Sequence, residues 1–144
     1  MFHKKVLTIA ILLTLSNTFA MSETKITNLD ALDGNWHLRV MDGKEVRKAR
    51  AILDFHSKEM QLEGFDGCNQ ISGKLLRTTG DRFFTKTLKT SRMACRQNIH
   101  RYVSQGLHKT VREGFSVIKE KRYGVEGITI KSASHNLFFK RMGT

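Results

Sequence analysis

The chain contains no proline, two cysteines, one tryptophan and 13 acidic residues against 25 basic ones in 144. Without proline, and without a run rich in serine and glycine, nothing marks a linker, so one domain with short turns is expected. The shortage of acid gives a net charge of +12, which bears on partners and solubility and not on fold. Long apolar runs are lacking as well. The longest, Val6 to Leu15, spans about ten residues, too few to cross a bilayer and the length of a signal-peptide core.

That run follows the basic His3-Lys4-Lys5 and ends in Ser16-Asn17-Thr18-Phe19-Ala20, so residues 1–20 read as a signal peptide cleaved after Ala20. No cysteine lies near the exit, which argues against a lipid anchor. Export implies a periplasmic or secreted protein with no stable membrane span after cleavage. The leader takes Lys4 and Lys5 with it and leaves a charge of +10. Outside the cytoplasm the anionic partners on offer are lipid or lipopolysaccharide phosphates and acidic envelope proteins, with nucleic acid excluded by compartment.

Residues 21–31 read as a flexible lead-in and residues 32–144 as the domain. Trp36, Leu38 and Val40 alternate with Asn35, His37 and Arg39, the period of a half-buried strand, and Asp42-Gly43 is a hairpin signal. Ala51, Leu53 and Phe55 share a face of the next strand. Met60, Leu62 and Gly64 follow, then Ile71, Gly73 and Leu75. Arg82 to Lys89 is strand-like, with Phe83 and Phe84 on opposite faces. The period then lengthens: Ile99, Tyr102, Val103, Gly106, Leu107, Thr110 and Val111 mark one face of an amphipathic helix, with Asn98 as N-cap and Gly114 as its stop. Three strands close the chain. The expected fold is α+β, a small curved antiparallel sheet or barrel of about eight strands with one helix packed against it.

Two stretches stand out. Gly64-Phe65-Asp66-Gly67-Cys68-Asn69-Gln70-Ile71-Ser72-Gly73 has the composition of a tight turn, and Thr90-Ser91-Arg92-Met93-Ala94-Cys95 ends just before the helix. Two cysteines in an exported chain most simply form one disulfide, Cys68 to Cys95. Asn69 beside Cys68, with histidines elsewhere, raises a nucleophile reading, which needs a reduced thiol and an activating base. For metal binding, His100 and His108 stand about 12 Å apart along the helix and cannot share an ion, and no metal or cofactor is expected. Arg101, His108, Lys109 and Arg112 make one helix face basic, a candidate contact for an anionic surface if not simply a solvated face. Trp36 and the phenylalanines are assigned to the core.

The chain resembles the META-domain family of the heat-shock, HslJ-like type. The resemblance rests on Leu32-Asp33-Gly34-Asn35-Trp36-His37-Leu38, on Gly67, Cys68, Asn69 and Gly73, on Arg92, Met93 and Cys95 in the second motif, and on Leu137-Phe138-Phe139-Lys140-Arg141. It implies a small barrel-like α+β envelope domain without a catalytic activity, associated with stress response or virulence. The expected function is therefore a non-enzymatic exported binding or interaction module, monomeric, with a secreted protein-binding inhibitor or effector as the alternative.

Overall fold

A computed structural model describes residues 24–78 and 80–143. The expected signal peptide lies outside the described residues. The strands are β1 (Thr24–Ile26), β2 (Gly34–Met41), β3 (Lys44–Glu45), β4 (Ile52–His56), β5 (Gln61–Phe65), β6 (Gln70–Lys74), β7 (Leu76–Arg77), β8 (Phe83–Phe84), β9 (Lys89–Thr90), β10 (Ser116–Arg122), β11 (Val125–Lys131) and β12 (Asn136–Arg141). The helix, α1, spans Asn98–Glu113.

Antiparallel pairing runs β1-β10-β11-β12-β2-β4-β5-β6-β9, with β3 on β2, giving a ten-stranded sheet; β7 and β8 pair separately. The path ends at β1 and β9, which do not pair, so of the two expected forms, curved sheet or barrel, the open sheet is the one found, and it holds more strands than the eight expected. Three of the extra strands, β1, β3 and β7, are two- and three-residue pieces too short to show a period, and the single strand expected over Arg82 to Lys89 is broken into β8 and β9, which pair in different sheets. The lead-in is also corrected from Thr24 onward. Thr24–Ile26 pair with β10 and Ile26 and Leu29 are buried, so backbone pairing and two apolar side chains dock a segment whose composition is otherwise polar.

The expected inner face of β2 holds for Trp36 and Leu38, both buried, and then shifts: Met41 is buried and Val40 only partly. In the register with β12, Leu38 faces Phe139 and Val40 faces Phe138, so Arg39 is an extra residue. Such a bulge reverses the alternation beyond it. Ala51, Leu53 and Phe55 are all buried as their spacing requires, and Phe83 takes the core side while Phe84 is half-buried.

Val103, Gly106, Leu107, Thr110 and Val111 bury the expected helix face. Tyr102 does not join them; its ring lies 5.3 Å from the Lys44 Nζ at the surface. Gln97, not Asn98, is the N-cap: its extended backbone breaks the helix one residue earlier, and its carbonyl accepts from the His100 and Arg101 amides. Gly114 ends the helix at φ 97°, as expected. Gly106 lets the helix approach β2, since a Cβ there would stand 2.8 Å from Met41 Cε.

Candidate functional site

The turn after β5 is built around one carboxylate. Asp66 Oδ1 accepts from the Cys68 and Asn69 amides, both at 2.7 Å, and the Asp66 amide donates to the Asn69 carbonyl at 2.9 Å. Gly67 takes φ 102°, and a Cβ there would press to 3.2 Å on the His100 carbonyl, so both conformation and helix contact call for glycine. Cys68 is thereby aimed at Cys95, to which it is bonded. This confirms the expected disulfide and removes the thiol that a nucleophile would need.

Asn69 does the complementary work on the second motif. Its Oδ1 accepts from Ser91 Oγ at 3.1 Å and from the Met93 amide at 2.5 Å, while Ser91 Oγ accepts from the Gln70 amide. Gly73 admits the crossing segment before β9, because a Cβ there would lie 2.4 Å from Thr85 Cγ2 and 3.0 Å from the Thr87 carbonyl. Arg92 and Met93 turn their side chains outward, Met93 being 64% exposed.

The helix is tied to this turn by a bond that sequence reasoning missed. His108 Nε2 lies 2.6 Å from Asp66 Oδ2. Burial of Asp66 pushes its carboxyl pKa up, but the bond to His108, the amides of Asn69 and Cys68, and Ser104 outweigh it and hold the pKa below the ordinary carboxylate value. Asp66 is therefore ionised at neutral pH, and the Nε2 of His108 carries the proton it donates. The sequence signals only the turn half of this arrangement, an Asx-turn pattern with Asp66 just before the amides it binds, and the approach of His108 leaves no local signal.

Of the candidate surface residues, His108, Lys109 and Arg112 line one open depression with Asp66, Asn69, Thr90, Ser104 and Glu113, while Arg101 lies outside that lining. His108 is committed to Asp66, and Glu113 to the Ser134 amide and hydroxyl. Among the described residues, Arg101, Lys109 and Arg112 form no ion pair. Elsewhere, on the outer face of the sheet, Asp54, His56 and Glu63 place one ligand-type atom each within 4.8 Å of the others.

The META domain model matches residues 27–142. The chain belongs to the META domain family. No curated protein matches it. Two solved structures share the fold. One, an NMR structure, is 21% identical, with a TM-score of 0.63 over 81% of this chain and 95% of that one. The other, an NMR structure of a protein from Burkholderia xenovorans, is 20% identical, with a TM-score of 0.60 over 81% of this chain and 87% of that one. In this META domain the motif residues Gly67, Cys68, Asn69 and Gly73 thus have structural tasks: they close a turn, clamp a second segment and anchor a helix.

Proposed function

We propose that this META domain is an exported envelope module that acts by binding and not by catalysis, and that its contact surface is the basic face of α1. The observation that carries the reading is the division of charge at the depression. Its two carboxylates, on Asp66 and Glu113, accept internal hydrogen bonds, and although Lys109 helps to hold the Glu113 carboxyl pKa below its ordinary value, neither Lys109 nor Arg112, nor Arg101 further along the same helix, forms an ion pair among the described residues. The disulfide knot and the Asp66–His108 bond hold that helix in place, so the cations are presented on a fixed support. An anionic lipid headgroup is the ligand class this face fits. Each basic side chain near an acidic membrane surface contributes on the order of 1 kcal/mol.

The test uses protein recovered from the cell envelope, with an intact mass showing loss of residues 1–20. It should co-sediment with anionic but not neutral vesicles, and less so at high salt, because the Debye length falls from about 10 Å at 0.1 M to about 3 Å at 1 M. Changing Arg101, Lys109 and Arg112 together to Gln should weaken this binding by roughly two orders of magnitude. Equal binding to both vesicle types, or a triple variant that binds as well as the parent, would overturn the assignment of this face. A mass that retains the leader would overturn the export reading.

A further inference from the structure

Asp54 and His56 alternate with the buried Leu53 and Phe55, so both stand on the outer face of β4. Glu63 of β5 lies directly across from Asp54. Two like charges in directly opposed positions destabilise a sheet. Here they occur in a chain with few acidic residues to place.

His56 stands between them. Its Nε2 is 3.4 Å from Asp54 Oδ2 and 3.3 Å from Glu63 Oε2. That nitrogen is closed to solvent and makes no hydrogen bond, so it is aligned on neither carboxylate. A proton shared along either line would require a different ring angle. An ion seated among the three groups calls for a ring that points between the two oxygens and not at either one. Tetrahedral bonds of about 2.0–2.1 Å set neighbouring ligand atoms about 3.3–3.4 Å apart, the spacing found on the two edges that meet at His56, while the two carboxylate oxygens lie within 4.8 Å of each other.

We propose that Asp54, His56 and Glu63 form a binding site for a divalent first-row transition ion, with zinc as the representative member. One imidazole with two carboxylates suits zinc and its neighbours, whereas calcium and magnesium prefer oxygen alone. Gln61 Nε2 donates to Glu63 Oε1 at 3.3 Å, which fixes the carboxylate while leaving Oε2 for the ion, the kind of supporting bond that orients metal ligands. Asn35 and Ser72 extend the same cross-strand row and, with Asp54 and Glu63, line a surface concavity. Three protein ligands leave a fourth position for a water or a ligand oxygen. The site is separate from the basic helix face and stands or falls independently of it.

The experiment is a titration of the purified chain with Zn2+, read by calorimetry, and with Co2+, read by visible absorption. One ion should bind per chain, and Co2+ should give the intense bands of a tetrahedral site. His56→Gln and Asp54→Asn should each weaken Zn2+ binding by at least about tenfold and remove those bands, while His100→Gln leaves both unchanged. The metal-free unfolding midpoints of the first two variants verify folding, and Glu63→Gln replaces either one that fails to fold. No saturable binding, or one-site binding that survives these substitutions, would overturn the proposal.

Discussion

At the scale of single residues, Asp66 is the group on which most local order depends. Replacing it with Ala leaves the buried Cys68 amide and the Asn69 amide without an acceptor and His108 without a partner, and should cost on the order of 3 kcal/mol in urea unfolding at neutral pH. Asp66→Asn keeps an oxygen for both amides and should cost much less. The two proteins also differ in acid. Because the folded carboxyl titrates below its ordinary value of 3.8, Asp66 contributes stability that is fully present above that value and is lost as the pH falls through the lower folded one. The gap between the parent and Asp66→Asn should therefore close in acid; a gap that stays constant from pH 7 to pH 2 would show that the charge of Asp66 does not stabilise the fold.

At the scale of elements, β6 and the segment before β9 meet at Gly73. The Thr87 carbonyl cannot retreat as a flexible side chain would, so Gly73→Ala should lower the unfolding free energy by about 1–3 kcal/mol, read in urea as a lower midpoint with an unchanged slope. A neutral result would mean that the crossing segment is freely displaced. Much at this scale was legible in the sequence. The helix face, the Gly114 stop and the strand of Ala51, Leu53 and Phe55 are periods within one segment, and a period is a local property. The alternation of β2 was misread past Arg39 because a bulge depends on the partner strand. The short strands carried no period at all. At the candidate site, the cysteine pair and the turn could be read, but Asp66 and His108 are 42 residues apart, and the approach of Glu63 to Asp54 depends on strand register. Neither distance follows from spacing along the chain.

At the scale of the whole molecule, the disulfide closes a loop with a sequence separation of 27 between the turn after β5 and the approach to α1. The chain-entropy account of such a loop gives roughly 3.5 kcal/mol, against a typical total of about 5–15 kcal/mol. Changing Cys68 and Cys95 together to Ser should lower stability by about that amount in urea while the sheet remains folded, since Asp66 and Asn69 still bind the turn to its neighbours; a loss under about 1 kcal/mol would mean that the reduced chain is already constrained there. The order of the sheet carries a last consequence, for the timing of folding. β2 lies between β4 and β12, and Arg141 donates to the Asp33 carbonyl across 108 residues, so one side of an early strand stays bare until the final strand arrives. Contacts this distant close slowly, and a chain emerging from the ribosome cannot make them before β12 has followed β2 out of the exit tunnel. A nascent chain therefore carries one unpaired edge on β2, open to a wrong strand partner, until β12 emerges to cover it.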